Sequence, residues 1–342
     1  MRQFKPVVTA ENVTRAVFEN EIKPLGQPVV LKGLVSHWPC VAAARTSSQA
    51  LGAYLKRHDS GATSLISICP PEDEGRFFYD DTVTGVNFTG THQSISQLVN
   101  WLLEQGPDTT EARYLQAVPI GAAAPSMLAD LDMPLLDSKI QPRVWIGNTL
   151  RTQTHFDRPA NIACHVAGEK VVTLFPPEQL TNLYVGPLDM TPGGVPISMT
   201  SLENPDFKAH PRFAQALETA QQTRLEPGDA LYMPSYWWHH IQTTGPLNML
   251  VNYWWNDTRP DAWHPMAALY LAALSIRQLP EDQRRLWKTM LDYYIFDSDG
   301  DPVAHLPPPV QGAFGRDLSA EAMQLCKEQF RQRYLPMLAP KA

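Results

Sequence analysis

From Tyr114 to about Trp255 the sequence runs in short apolar or alternating stretches cut by proline and glycine, and this texture limits the fold more than any other feature. Arg143-Val144-Trp145-Ile146-Gly147, Lys170 through Pro177, Asp229 through Pro234 and Asn248 through Trp254 are examples. The chain carries 31 prolines, about 9% of its residues against a usual ~5%, dispersed rather than gathered in a linker. Proline donates no ladder hydrogen bond and so sits at strand ends and edges. Short strands ended this way, at this spacing, imply an antiparallel barrel or a double-sheet jelly roll.

The flanks read differently. Ser94 and Gln97 form a capping box, and Ile95, Leu98, Val99, Leu102 and Leu103 then recur on one helical face before Gly106 stops the helix. Helices are also expected from Thr9 to about Ile22 and from Ser47 to about His58, with an apolar strand over 28–31 between them. After about Thr258 helical patterns return near 264–279, 281–296 and 319–334. The expected class is mainly β with flanking helices: a jelly-roll domain over 1–258, with helix and strand added on its N-terminal side, and a helical region over 259–342. A segment from Tyr184 to Leu217, containing Pro192-Gly193-Gly194 and little periodicity, is expected to loop over one mouth of the barrel.

A chain of 342 residues is long enough to bury a core without disulfides or a structural metal, so any metal site needs another reason to exist. The four cysteines, Cys40, Cys69, Cys164 and Cys326, show no CxxC pair and read as buried reduced thiols of a cytoplasmic protein. The Met-Arg-Gln-Phe-Lys-Pro start is not expected to be a secretory signal, and the longest mostly apolar run, Met266 to Ile276, is about half a membrane span. Lys plus Arg number 28 against 35 Asp plus Glu, a net charge of −7. That balance argues against a nucleic-acid-binding surface over the whole molecule and leaves a local basic groove open.

The chemistry concentrates in Thr152-Gln153-Thr154-His155-Phe156-Asp157. On a strand, residues i and i+2 share a face, so His155 and Asp157 project together into the barrel. A third ligand is available from the segment Gly228 to His240, which delivers the adjacent pair His239-His240 about 80 positions downstream. Two histidines and one carboxylate make a facial triad with open coordination positions, typical of non-haem Fe(II) oxygenases. A His-x-Asp pair alone is common by chance; the second segment gives it weight.

Gly228, Pro234 and His239 fit the cupin spacing, with Tyr236 standing where that motif has glycine. That spacing selects His239 as the ligand and leaves His240, turned to the opposite face, a structural role. Together with Arg113 to Gln116, Ile146 to Asn148, Thr152 to Asn161, Gly168 to Pro177, Leu202 to Asp206, Pro227 to Asp229, Tyr236 to Ile241 and Val251 to Trp254, these residues resemble the JmjC/cupin-type Fe(II)- and 2-oxoglutarate-dependent oxygenases. Within them the likeness is to the asparaginyl-hydroxylase group that acts on hypoxia-inducible factor.

The resemblance implies a double-stranded β-helix, Fe(II) at His155, Asp157 and His239, 2-oxoglutarate as co-substrate, and O2. It puts Lys170 on the C5 carboxylate of 2-oxoglutarate, Thr152 and Tyr114 as hydroxyls bonding the same carboxylate, and Asn161 and Asn252 near the metal-bound end. A buried dianion needs one fixed cation in an apolar barrel. His165 is expected to be a core histidine beside the site, and Trp237, Trp238 and Trp254 core or pocket wall. Arg158-Pro159-Ala160 departs from the acidic and glutamine-rich run of the asparaginyl hydroxylases, at the rim where that group holds its substrate.

The function expected is hydroxylation of a side chain in a protein or peptide substrate. The alternatives are an RNA-modifying or demethylating oxygenase of the same group and a metal-binding cupin without oxygen chemistry. The C-terminal helices are expected either to pair two copies or to cover the chain's own sheet.

Overall fold

A computed structural model describes residues 4–105, 109–296 and 300–338. The chain divides into two compact units, Met1–Asn256 and Asp257–Ala342.

The first unit is built on a sheet of 13 strands among the described residues, mixed in direction but mostly antiparallel. Its centre is the antiparallel pair Ala160–Phe175 and Trp238–Trp255. Each of these long strands changes its other partner part-way along. Ala160–Phe175 pairs with Ala230–Met233 over its first half and with Gln221–Leu225 over its second. Trp238–Trp255 pairs first with Leu150–Phe156 and then with Pro142–Gly147. The exchange coincides with register shifts between His165 and Glu169, where Gly168 takes φ +82°. Bulges bend and twist a strand, and here they let one sheet close into a jelly roll with flanking helices.

Proline ends the strands as the sequence implied. Pro176 follows Ala160–Phe175, and Pro234 follows Ala230–Met233. Val172, Leu174, Leu225, Leu231 and Leu250 fill the barrel interior. A second, larger core lies between the outer face of the sheet and the helices.

The helix Ile95–Glu104 carries the expected capping box: the Ser94 hydroxyl accepts from the Gln97 N–H at 3.3 Å and the Gln97 side chain accepts from the Ser94 N–H at 2.9 Å. It buries Ile95, Leu98, Val99 and Leu102, each contributing roughly 1.5–3 kcal/mol. The Gly106 stop lies outside the described residues. Ser47 caps Ser48–His58, and the expected strand is Val29–Lys32.

The expected helix from Thr9 to Ile22 is only half right. Val8–Glu11 is a strand, pairing in parallel with Val29–Lys32. Its backbone groups find partners on an open sheet edge, and helix starts only after Thr14, whose hydroxyl caps it at Val17 N–H. The turn then widens into a π-helical segment, Phe18–Ile22.

The second unit holds the helices Pro265–Ser275, Glu281–Tyr294 and Ala320–Arg333, close to where the sequence put them. All four cysteines are free thiols; Cys40, Cys69 and Cys164 are buried. Cys326 is half-buried instead, because its helix buries no residue completely. Among the described residues no helix is long and apolar enough to cross a membrane.

Candidate metal centre

His155 and His239 lie directly opposite each other on the antiparallel strands Leu150–Phe156 and Trp238–Trp255. Paired residues share a face, so both rings enter the barrel on one rung, with their centroids 4.2 Å apart. Asp157 follows at the end of the first strand, its Oδ2 3.7 Å from His239 Nε2. One ligand atom from each of the three lies within 4.8 Å of the others. Among the described residues this is the His, Cys, Asp and Glu group arranged to hold a metal ion.

The tautomers are set by the backbone. His155 Nδ1–H donates to the Gln153 carbonyl at 2.8 Å, and His239 Nδ1–H donates to the Trp237 carbonyl at 3.0 Å. Each Nε2 lone pair is therefore left free and turned inward, which is the state a metal ligand requires. Burial keeps His155 neutral by pushing its pKa well down, with neighbouring His239 adding to the effect. Burial raises the Asp157 pKa, opposed by His239. Burial thus disfavours charge on both His155 and Asp157, and a bound cation would reverse that preference at the carboxylate.

Two backbone features hold this geometry. The Tyr236 N–H donates to the Asp157 carbonyl at 2.9 Å, tying the turn before His239 to the hairpin after His155. Tyr236 has φ +66°, the left-handed region that explains glycine in the cupin motif at this point. Here a tyrosine takes that backbone, its ring packed 5.6 Å from Phe156.

The second feature is a bulge. Between the rung of His155 and His239 and the rung of Thr152 and Ile241, one strand has an extra residue. Thr152 and His155 consequently both border the same cavity, although strict alternation would send them to opposite faces. Thr154 turns the other way, toward His240.

The cavity has a volume of about 490 Å³, inside the ~300–1,000 Å³ range of small-molecule sites. The three candidate ligands, Tyr114, Thr152, Asn161 and Asn252 all contribute to its wall. Asn252 accepts from the Trp145 indole at 2.7 Å and donates to Asn161 at 3.3 Å, which fixes both amides. Trp254 is wall, while Trp237 and Trp238 are core.

Lys170 is 5% exposed and is not part of the cavity wall. It does share the inward face: Leu174 is level with His239, and Lys170 sits two inward positions further along, level with Thr243. Its ammonium has no hydrogen-bond or ion-pair partner among the described residues, and burial pulls its pKa down to about 7. Thr152 Oγ1 and Trp254 Nε1 are likewise buried without a hydrogen-bond partner. Burial also raises the Tyr114 hydroxyl. Unmatched donors this deep are costly; Thr152 and Trp254 border the cavity, and Lys170 lies further along the same inward face.

His240 faces away from the cavity. Its Nε2 meets Glu203 at 2.9 Å and its Nδ1 approaches Thr154 Oγ1 at 3.4 Å. Hydrogen bonding from His240 carries the Glu203 carboxyl down to about 2 despite burial. His165 is fully buried and donates through Nε2–H to the Gly168 carbonyl at 3.0 Å. It is a core residue only half satisfied, since its Nδ1 has no partner; burial and nearby Lys170 hold its pKa near about 3.

The segment 184–217 does pass over the mouth, giving Pro192, Gly193, Val195 and Ile197 to the wall. Its last residues are not loop but the start of the helix Phe213–Thr219. Gln153 pins it by donating to the Ser198 and Thr200 carbonyls at 2.8 and 2.6 Å. Neither Gln153 nor Glu203 stands out in the sequence as more than part of a motif.

Residues 14–261 match the family described as "Cupin-like domain". The chain belongs to that family. It is 33% identical over 285 residues to Lysine-specific demethylase JMJ31 of Arabidopsis thaliana, covering 75% of this chain and 51% of that protein. It is 26% identical over 243 residues to Lysine-specific demethylase 8 of Xenopus tropicalis, covering 67% and 48%. HSPB1-associated protein 1 of Homo sapiens is 34% identical over a shorter 113 residues. The chain spans about half the length of the demethylases it matches.

Proposed function

We propose that this chain is an Fe(II)- and 2-oxoglutarate-dependent oxygenase that hydroxylates a side chain of a protein or peptide, with affinity to the asparaginyl-hydroxylase group. The observation that carries the reading is the conjunction of two inward Nε2 lone pairs and a carboxylate with a buried, unpaired lysine further along the same barrel. Two imidazoles and one carboxylate suit Fe(II), whereas a purely storage site needs no cation placed for a dianion. His155, Asp157 and His239 would hold the iron. Lys170, Thr152 and Tyr114 would bind the distal carboxylate of 2-oxoglutarate, with Asn161 and Asn252 nearer the metal.

Bound iron, with 2-oxoglutarate and O2, supplies the oxidising power to hydroxylate an unactivated C–H bond, releasing succinate and CO2. The chain's share is positional. The Nδ1 hydrogen bonds fix the histidine rings, the Tyr236 hydrogen bond fixes Asp157, and Trp145 fixes the two asparagines. Phe77, Trp145, Met233 and Leu250 keep the cavity largely apolar, so water is excluded and electrostatic contacts inside are strengthened.

Anaerobic titration of the Fe(II)-loaded protein with 2-oxoglutarate tests the assignment through the visible charge-transfer band of the pair. The band is expected in wild type and absent in Lys170→Ala. No band in wild type would refute the oxygenase reading.

The names of the two demethylase relatives favour a second reading, oxidation of an N-methyl carbon of lysine. It shares the same metal and co-substrate and differs in releasing formaldehyde, which a product assay detects directly. The exposed Leu274, Leu286, Trp287 and Met290 of the second unit support pairing of two copies there, which light scattering tests.

A further inference from the structure

We infer that Arg158 reads a carboxylate on the substrate, so that the chain selects an acidic peptide, one with Asp or Glu beside the residue that is oxidised. The inference builds on the oxygenase reading for what happens to the peptide, but not for whether the peptide binds. Arg158 lies in the three-residue link between Leu150–Phe156 and Ala160–Phe175, directly after Asp157, and is one of the residues lining the cavity. It is half-buried and has no hydrogen bond or ion pair among the described residues. Pro159 restricts the link on one side, and the Tyr236 hydrogen bond to Asp157 ties it on the other, so the guanidinium sits on a stiff mount.

The surrounding charges point the same way. Apart from Asp157, which is committed to the candidate metal centre, no acidic residue among the described residues lines the cavity. Arg143 stands behind the same wall, its guanidinium 5.8 Å from the Trp254 ring. It donates to the Ala117 carbonyl at 2.8 Å and has no carboxylate partner among the described residues. A chain with net charge −7 thus presents one arginine without a carboxylate partner among the described residues on the wall of this cavity, and a second behind the Trp254 ring. A cationic lysine, methylated or not, meets no counter-charge there and like charge at the rim. A carboxylate meets a fork of free N–H donors.

The test is a positional-scanning library of fluorescein-labelled nonapeptides, read by anisotropy against the full chain loaded with Mn(II) in place of iron under a 2-oxoglutarate excess. Wild type is expected to favour Asp or Glu at one or two neighbouring positions. Arg158→Gln should weaken the preferred acidic peptides roughly tenfold, and Arg158→Glu should reverse the preference toward Lys or Arg. Separately, the affinity of each variant for 2-oxoglutarate alone should match wild type.

A preference for lysine or methyl-lysine in wild type, no preference at all, or an unchanged preference in Arg158→Glu would overturn the inference. So would a loss of 2-oxoglutarate affinity in Arg158→Gln, which would make Arg158 a co-substrate residue. Because binding is read without turnover, failure of the oxygenase reading appears separately, as an acidic preference in a protein that consumes no 2-oxoglutarate.

Discussion

Replacing Lys170 by methionine should make the empty protein more stable while abolishing its capacity for 2-oxoglutarate. In the folded chain the lysine releases its proton near pH 7, against an ordinary 10.5. Between those values the unfolded chain binds one proton more than the folded chain, so unfolding free energy climbs with pH by ~1.4 kcal/mol per unit. At pH 6, below the whole window, holding the charged ammonium in the barrel costs about 5 kcal/mol. Methionine is similar in length, needs no partner and fills irregular space. Allowing for imperfect repacking around Val172 and Leu225, the variant should gain roughly 2–4 kcal/mol at pH 6. Urea denaturation of the metal-free protein at pH 6 and pH 9 measures this. The wild-type protein should recover about 3 kcal/mol relative to the variant over that interval, closing most of the gap. Calorimetry should show no 2-oxoglutarate binding by metal-loaded Lys170→Met. A variant less stable than wild type at pH 6, or one whose difference from wild type does not change with pH, would refute the buried, unpaired cation.

Two further outcomes follow from the site. His239→Ala should lose Mn(II) binding, measured by calorimetry, while His240→Ala should retain it and be destabilised by about 1–3 kcal/mol, because Glu203 loses one of its partners and keeps Gln242. Equal loss of metal in both would reject the facing assigned to the two rings. Gly147→Ala should cost about 1–3 kcal/mol in a chemical melt and weaken 2-oxoglutarate binding, since an added Cβ would lie 2.6 Å from the Arg113 carbonyl and 3.1 Å from the Tyr114 ring. Unchanged stability would show that the strand carrying Tyr114 gives way more easily than its pairing with Gly147 implies.

The parts of the molecule legible in the sequence are those governed by local rules. The capping box at Ser94 and Gln97 needs four residues, and it forms as read. His155 and Asp157 are two apart, and His239 follows from motif spacing, so the three candidate ligands could be named without knowing which strand pairs with which. The strand Val8–Glu11 was not legible, because its helical pattern is overridden by a sheet edge supplied by Val29–Lys32. Glu203 was hidden for the same reason: its meaning lies in His240, 37 positions away.

Thr152 makes the physical limit plain. Counting by twos from His155 sends its side chain out of the barrel, and only resemblance to a family put it near the co-substrate. The extra residue between the two rungs turns it inward, yet nothing in Thr152-Gln153-Thr154 marks a bulge in advance. A bulge is fixed by the register of both strands: the rung of His155 and His239 on one side, and that of Thr152 and Ile241 on the other. The partner strand must therefore be known before the faces can be. Tyr236 shows the converse case. The spacing named the position where glycine belongs, and the left-handed backbone there, φ +66°, is present although the glycine is not. Strain of about 1 kcal/mol for a non-glycine residue in that region is offset by the packing of the ring against Phe156 and by the N–H that holds Asp157 in place. The motif therefore records a backbone requirement, and the residue meeting it can change while the requirement stays.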